Sequence, residues 1–282
     1  MGTEKKPEWL KVSYNKAAVD EVSGLMAKLA LHTVCREANC PNLGECYRNH
    51  TATFLIMGSL CTRNCRFCNV AHGKPQPPDP DEPAHLARAA KALGLRHVVI
   101  TSVTRDDLPD GGAAHFARTV EAVRKEIPDI TTEVLIPDFK GDERSLDIVI
   151  AAKPDVINHN VETVRRLYDT VRPGADYDRS IRVIRTVKKK APGVFTKTGI
   201  MVGLGETDEE VFRVMDDCRA AGCDIFTIGQ YLRPSQRHIE VKEYVTPEKF
   251  ALYKKTAEEK GFRYVAAGPL VRSSYRAATY LN

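Results

Sequence analysis

Short apolar runs alternate with longer amphipathic stretches over most of the chain. Six of these runs predict β-strands, at residues 53–57, 97–101, 132–136, 155–158, 198–202 and 224–228. Between them, apolar residues at helical spacing predict helices near 83–93, 113–126, 143–152, 161–168, 177–190 and 208–221. Because helical crossovers between parallel strands are right-handed, this order predicts a parallel α/β fold, either a barrel or an open doubly wound sheet.

Both ends of the chain depart from this alternation. Spaced apolar residues over 13–31 predict a helix that leads into a group of cysteines. After the last unit come a predicted helix at 247–260, an apolar run at 264–267 and the sequence Arg272-Ser273-Ser274-Tyr275. No Gly- or Ser-rich linker divides the chain, so we expect one main domain with an extension at each end.

The composition is that of a globular protein with a sizeable core. Of 282 residues, 43% are hydrophobic and 28% are charged, and the net charge of +5 is too mild to require nucleic acid. No apolar stretch approaches the roughly 20 residues of a membrane span, and the first residues lack the apolar centre of a secretory signal. We therefore expect a cytoplasmic protein with neither a membrane nor a nucleic-acid partner; an organelle leader that had been removed would leave the same sequence.

Six of the eight cysteines lie between positions 35 and 68. Such clustering without a signal peptide indicates a metal site rather than disulfides. Cys61, Cys65 and Cys68 follow the first predicted strand directly, at the sheet edge where sites form in parallel α/β folds. Three thiolates on a four-iron cluster leave one iron open to a small molecule. The alternatives are a zinc site, which normally takes four ligands and favours CxxC pairs, and buried structural cysteines.

The earlier group contains Cys35, Cys40 and Cys46. Pro41 and Gly44 disfavour one regular helix here and favour a loop that wraps around its ligand. This spacing predicts a second cluster. Cys218 and Cys223 have no third cysteine nearby and are interpreted as buried thiols.

The CxxxCxxC spacing, with Phe67 before the last cysteine, resembles the signature of the radical S-adenosylmethionine (SAM) superfamily. With the CxxxxCxxxxxC group and the terminal Arg-Ser-Ser-Tyr, the chain resembles the lipoyl synthase family over essentially its whole length. The resemblance implies a partial barrel of about six β/α units over residues 51–261, an N-terminal arm over 1–50 that carries one cluster, and a closing segment over 262–282.

The resemblance also implies the ligands and the reaction. Cys61, Cys65 and Cys68 would hold the 4Fe-4S cluster that binds and cleaves SAM. Cys35, Cys40 and Cys46 would hold an auxiliary 4Fe-4S cluster, with Ser274 rather than Ser273 as its fourth ligand. The resulting radical would abstract hydrogen at C6 and then C8 of a protein-bound octanoyl chain, and the auxiliary cluster would donate the sulfur.

The partners implied are an octanoylated lipoyl carrier domain, such as the H protein or an acyltransferase subunit of a 2-oxoacid dehydrogenase, a low-potential electron donor and a cluster-repair carrier. Two rivals are a radical SAM methylthiotransferase, which would lack the Arg-Ser-Ser-Tyr ending, and a two-cluster electron carrier. An electron carrier would have all of its cluster ligands filled and would not need a large α/β scaffold.

Further residues are candidates for SAM binding, each with a structural alternative. The candidates from the resemblance and the strand ends are Phe67, Gly111, Gly112, Asn160, Glu162, Arg172, Gly203 and Arg233. The glycines could instead serve tight turns. Asn160 could cap a helix with Glu162 in its first turn, and the arginines could form ordinary ion pairs. The Gly203 loop lacks the full GxGxxG pattern, so turn geometry and adenosine packing are favoured there over phosphate binding.

Overall fold

The computed structural model describes residues 7–10, 16–38, 40–48, 53–275 and 277–280. Its strands are β1 (His32–Thr33), β2 (Thr53–Ile56), β3 (His97–Ser102), β4 (Thr131–Leu135), β5 (Val156–Asn158), β6 (Phe195–Val202), β7 (Ile225–Gln230) and β8 (Tyr264–Gly268). Its helices are α1 (Lys16–Lys28), α2 (Val34–Glu37), α3 (Leu43–Arg48), α4 (Glu82–Ala92), α5 (Ala113–Glu126), α6 (Glu143–Ala151), α7 (Tyr168–Val171), α8 (Tyr177–Lys190), α9 (Asp208–Ala220) and α10 (Pro247–Glu259).

One sheet runs in the order β1 to β8, with β1 antiparallel to β2 and every other neighbouring pair parallel. The six predicted strands are β2 to β7, so the predicted α/β class is confirmed. The apolar run at 264–267 is β8, which pairs with β7 and continues the sheet into the predicted closing segment. The boundary at 262 stays a prediction.

The sheet curves into a partial barrel. Val99, Val156 and Ile225 come from β3, β5 and β7, yet they meet in one buried cluster with Ala277 from the short 3-10 helix Ala277–Tyr280. Side chains of alternate strands can meet on one face only if that face is concave. The outer face packs on the crossover helices, as Phe54 and Phe116 do in one large apolar cluster.

An ion pair is buried inside the barrel. The Lys197 ammonium lies 2.9 and 3.0 Å from the two Glu133 oxygens, and neither side chain is more than 1% exposed. The Asn158 amide donates to the same carboxylate at 3.2 Å. Charges removed from water need such partners, so this layer fixes β4, β5 and β6 relative to one another.

The predicted helix at 161–168 is wrong. Glu162 instead bridges to β6: its N–H donates to Gly199 and its carbonyl accepts from Met201. Strand-like pairing therefore replaces the first helical turn, and only the 3-10 helix Arg165–Leu167 and α7 follow. Among the helices of the described ranges, none has both the length and the apolarity to cross a bilayer.

Candidate active site

A cavity of about 1030 Å³ opens where β2 to β7 end. All six clustered cysteines line it, together with Ser273 and Ser274. The two groups are separated along the sequence by a strand, and the serines follow more than 200 positions later, so the fold brings together the residues for which the sequence predicted metal binding. All eight cysteines are free thiols, and Cys218 and Cys223 are fully buried elsewhere.

The loop that carries Cys61, Cys65 and Cys68 is held mainly by its own backbone. The Cys61 N–H donates to Ala71 at 2.8 Å and its carbonyl accepts from Gly73 at 2.9 Å. The Cys61 sulfur accepts backbone N–H groups from Arg63 at 3.4 Å and Thr104 at 3.3 Å. Backbone N–H donors to a cysteine sulfur tune a cluster that is bound there.

Arg63, which lies between the first two of these cysteines, anchors the loop to two strand ends. Its guanidinium contacts Asp106, after β3, at 2.7 and 2.9 Å and Asp138, after β4, at 2.7 and 3.1 Å. Its side chain is 7% exposed and that of Asp138 is 0% exposed. Burial opposes ionisation of Asp138, but the hydrogen bonds and charge of Arg63 hold its pKa well below the usual range. Sequence reasoning missed this clamp, whose only signal was an arginine inside the cysteine loop.

Two thiols of this group, those of Cys65 and Cys68, are buried enough to resist ionisation. Burial raises the pKa of Cys68 to about 12. Burial also raises the pKa of Cys65, although the positive charge of Arg172 works in the opposite direction. Without a bound cation the Cys65 and Cys68 thiols are protonated at neutral pH, so loading them with metal must release protons.

Asn160, Glu162 and Arg172 form a polar group on the cavity wall. The Asn160 amide donates to Glu162 at 3.1 Å, and Arg172 Nη1 donates to the Asn160 carbonyl at 2.9 Å. Asn160 Oδ1 and Arg172 Nε are buried without a hydrogen-bond partner among the described atoms. Glu162 adopts a left-handed φ of +70°, a strained backbone of the kind that collects at ligand sites. The acceptor Asn160 Oδ1, the donor Arg172 Nε and the Glu162 carboxylate together suit a ligand that carries a positive and a negative charge.

Behind this group lies a directional chain of hydrogen bonds that sequence reasoning missed. Arg172 donates to the Tyr168 hydroxyl at 2.7 Å, which donates to Ser180 Oγ at 2.7 Å. The Ser180 hydroxyl donates to His159 Nε2 at 3.0 Å, because His159 Nδ1 carries the proton that the Ile136 carbonyl accepts at 2.9 Å. Burial lowers the pKa of His159 to about 4, and the Arg172 charge adds to this effect. His159 is therefore a neutral side chain of the cavity wall.

The remaining SAM-binding candidates divide into two sets. Phe67 and Arg233 line the cavity with the polar group above. Among the described residues, Gly111, Gly112 and Gly203 are not part of the lining. A Cβ at Gly112, whose φ is +90°, would lie 2.3 Å from the Met57 sulfur. This contact favours the turn interpretation of the glycine pair.

The Gly203 loop also has a structural explanation. Its φ is +94°, and a Cβ there would lie 2.3 Å from the Gln230 amide. The N–H groups of Gly203 and Leu204 both donate to the Glu206 carboxylate, at 2.5 and 2.9 Å. Because an internal carboxylate takes these donors, the loop does not offer them to a phosphate.

The second cysteine group is built by short elements outside the barrel. Cys35 lies in α2, which is capped by the Thr33 hydroxyl, and Cys46 lies in α3. Burial raises the pKa of Cys35 to about 11 and also raises that of Cys40. Arg272 is the cation that acts on Cys40. Three thiols, a nearby guanidinium and the Ser274 hydroxyl line one cavity, which is a donor set suited to an anionic metal cluster.

Comparisons with known proteins agree with this donor set. The sequence model of the radical SAM superfamily matches residues 55–218. The lipoyl synthase of Caldanaerobacter subterraneus subsp. tengcongensis is 60% identical over 280 residues, which cover 99% of this chain and 98% of that protein. The chain belongs to the lipoyl synthase family. The lipoyl synthase of Geobacter sulfurreducens is 55% identical over 280 residues, covering 99% of this chain and 92% of that protein.

Solved structures share the fold of this lipoyl synthase family member at low sequence identity. Streptococcus suis SuiB bound to S-adenosylmethionine has a TM-score of 0.59 at 14% identity, over 80% of this chain and 53% of SuiB. Methylornithine synthase has a TM-score of 0.51 at 14% identity, over 91% of this chain and 80% of that protein. This chain thus spans about half of the longer SuiB, and these likenesses show the fold alone. Membership of the radical SAM superfamily implies one 4Fe-4S cluster and SAM as cofactors. The roles of individual site residues stay predictions.

Proposed function

We propose that this lipoyl synthase family member inserts two sulfur atoms into an octanoyl chain, at C6 and C8, to form a protein-bound lipoyl group. The octanoyl chain is carried on a lysine of a lipoyl carrier domain. The observation that carries this proposal is the single cavity lined by two separate groups of three thiols and by Ser274. Only a two-cluster chemistry uses both groups at once.

The first site is formed at the end of β2. Cys61, Cys65 and Cys68 would hold a 4Fe-4S cluster by three thiolates and leave one iron for SAM. When bound, that cluster would supply the electron for cleavage of SAM into methionine and a 5′-deoxyadenosyl radical. Glu162 would accept a hydrogen bond from the methionine ammonium group. Arg172 Nε, which is buried and has no hydrogen-bond partner among the described residues, would donate to the ligand.

The second site supplies the sulfur as a substrate. Cys35, Cys40, Cys46 and Ser274 would hold the auxiliary 4Fe-4S cluster, and Arg272 would offset part of its negative charge. A serine oxygen suits iron less well than a thiolate does, so the Ser274 corner should be the easiest to open. Leu55, Leu135 and Ile136 give the same cavity an apolar wall for the acyl chain.

The partners follow from this chemistry. The acyl chain arrives on a carrier domain, for which the H protein and the acyltransferase subunits of 2-oxoacid dehydrogenases are the candidates. A low-potential electron donor must reduce the first cluster before each cleavage. A cluster-repair carrier must restore the auxiliary cluster, because each product removes two of its sulfurs.

The test is mass spectrometry of an octanoyl-lysine peptide after anaerobic incubation with the reconstituted protein, a reductant and SAM. We expect a gain of two sulfurs and two molecules of 5′-deoxyadenosine per product. Replacing Cys61, Cys65 and Cys68 together by alanine should abolish 5′-deoxyadenosine formation. Replacing Cys35, Cys40 and Cys46 should abolish sulfur transfer and retain cleavage. A methylthio product, or cleavage that survives the first triple replacement, would contradict the proposal.

A further inference from the structure

The chain segment that carries the two serines, residues 270–275, is tied to the loop of the second cysteine group. The Asn42 side-chain amide donates to the Leu270 carbonyl at 2.7 Å. The Tyr275 hydroxyl donates to Glu45 at 3.0 Å. These bonds join positions 228 and 230 residues apart, and they lie on either side of the serine pair. Residues 270–275 are called the serine segment below.

Asn42 contacts both the loop of the second cysteine group and the serine segment. It lies between Cys40 and Cys46, its backbone N–H donates to the Cys40 thiol, and its carbonyl accepts from the Cys46 N–H at 2.9 Å. The side chain is one of the most buried polar groups, since the residue is 2% exposed. A carbonyl can only accept, so the bond to Leu270 fixes which end of the amide faces it. One residue thus links two cysteines to the serine segment.

The unpartnered end of this amide points to a positional role. Asn42 Oδ1 is buried and has no hydrogen-bond partner among the described atoms. A buried acceptor without a donor lowers stability, so an apolar residue would serve a purely structural purpose better. The amide is needed for its N–H group, which holds the Leu270 carbonyl in a fixed position beside Cys40 and Cys46.

Gly229 holds the serine segment from the opposite side. It lies on the inner face of β7, where a Cβ would be 2.0 Å from the Val271 carbonyl oxygen and 3.1 Å from its carbon. These are backbone atoms, which cannot rotate away as a side chain can. Any larger residue at 229 would therefore push the serine segment out of the barrel.

We propose that Asn42 and Gly229 are positioning residues that set the serine segment against Cys35, Cys40 and Cys46, so that Ser274 can complete the auxiliary cluster. This inference deepens the proposed function and rests on it. Asn42 fixes the segment along the cysteine loop, and Gly229 fixes its depth in the cavity. Neither residue touches the Cys61, Cys65 and Cys68 loop in the hydrogen bonds and contacts described above.

The experiment isolates the auxiliary cluster in a chain in which Cys61, Cys65 and Cys68 are alanine. Asn42→Asp keeps the shape of the side chain but removes the donor, and Asn42→Ala is the second variant. Gly229→Ala adds the one methyl group that the structure excludes. Gly193→Ala is the matched control, since a Cβ there would meet no atom of the described part of the chain within 4 Å.

The readouts are the iron content and the Mössbauer spectrum. We expect each chain to keep about four irons, while the signal of the oxygen-ligated iron is lost in the Asn42 and Gly229 variants and kept in the Gly193→Ala control. With Cys61, Cys65 and Cys68 restored, these variants should form 5′-deoxyadenosine at a rate within about twofold of the unchanged chain. Their lipoyl product should fall by at least about tenfold, equivalent to about 1.4 kcal/mol.

Two results would overturn the inference. One is an unchanged oxygen-ligated signal and unchanged product in both Asn42→Asp and Gly229→Ala. The other is loss of the irons themselves, which would mean that these residues act on the cysteines and not on the serine segment. Failure of the proposed function would look different, because the parent chain, in which only Cys61, Cys65 and Cys68 are replaced, would then lack its four irons or their oxygen-ligated signal.

Discussion

Replacement of Arg63 by alanine tests how the loop at 61–68 is held. The guanidinium makes four hydrogen bonds to Asp106 and Asp138 and joins the loop to the ends of β3 and β4. Without it, Asp138 keeps the Lys140 N–H at 3.1 Å and Arg179 at 3.2 Å, and Asp106, whose side chain is 23% exposed, can be hydrated. The loss of stability therefore comes from Asp138, which is fully buried and, among the described residues, keeps only the hydrogen bonds from Lys140 and Arg179.

The expected loss of stability in Arg63→Ala can be estimated from these lost and remaining hydrogen bonds. Removing one partner of a buried ion pair costs about 3–5 kcal/mol, and the remaining contacts of Asp138 favour the lower end, about 3 kcal/mol. For a chain of this length such a loss lowers the Tm by about 6 °C. The folded pKa of Asp138 is depressed, so its contribution is present above its unfolded value of about 3.9 and is lost as the pH falls below it. The difference between the two proteins should therefore shrink in acid.

The assay is denaturant unfolding of Arg63→Ala beside Arg66→Ala, which removes an exposed arginine of the same loop. We expect a large loss for the first and a change within about 0.5 kcal/mol for the second. The initial rate of SAM cleavage should also fall in Arg63→Ala, because the three thiols are no longer held in register. Equal stabilities and equal cleavage rates for the two variants would refute the clamp.

Three further changes test other parts of the barrel. The pKa of His159 is about 4 in the folded chain and 6.5 in the unfolded chain. Between these values only the unfolded chain takes up the proton, so the free energy of unfolding falls as the pH falls. His159→Gln should flatten this pH dependence. Lys197→Met should lower the free energy of unfolding by about 3–5 kcal/mol, because it leaves Glu133 buried without its cation. Gly112→Ala should cost about 2 kcal/mol, because it combines a left-handed φ with a clash against Met57.

Urea unfolding between pH 4 and pH 7 measures all three changes. Identical pH slopes with and without His159 would show that another group takes up the proton. For the ion pair, the double replacement Lys197→Met with Glu133→Leu should recover much of the loss, and a double variant as unstable as the single one would count against an uncompensated charge. Gly174→Ala, with a φ of +83° and nothing near its Cβ, should cost less than Gly112→Ala.

The strands were predictable because each is buried on both faces. Parallel strands covered by helices form nearly continuous apolar runs, and all six runs became strands. The helix at 161–168 failed for the opposite reason. Its local pattern is helical, but the backbone of Glu162 finds its partners on β6, which lies far along the chain. Local propensity is a weak preference where tertiary hydrogen bonds compete.

Candidate ligands were predictable where the signal is local. Three cysteines within eight residues can be recognised as a candidate metal site from the sequence alone, without knowledge of the fold. The partners of Arg63 lie at 106 and 138, and the hydrogen-bond chain from Arg172 to His159 passes through residue 180, so no spacing rule finds them. The glycines at 111, 112 and 203 stay predicted SAM contacts, and they also have a structural explanation. Their positive φ values and close packing explain why glycine is required at these positions without any ligand.

The two cysteine groups share a cavity but are held by different parts of the molecule. The loop at 61–68 is fixed to the barrel through Arg63, whereas the second group is fixed to the serine segment through Asn42. Because these two sets of contacts have no residue in common, their energies should add when both are removed. Arg63→Ala should therefore weaken SAM cleavage and keep the oxygen-ligated signal of the auxiliary cluster, whereas Asn42→Asp should remove that signal and keep SAM cleavage. If either substitution impaired both processes, the two supports would have to be coupled through the cavity itself.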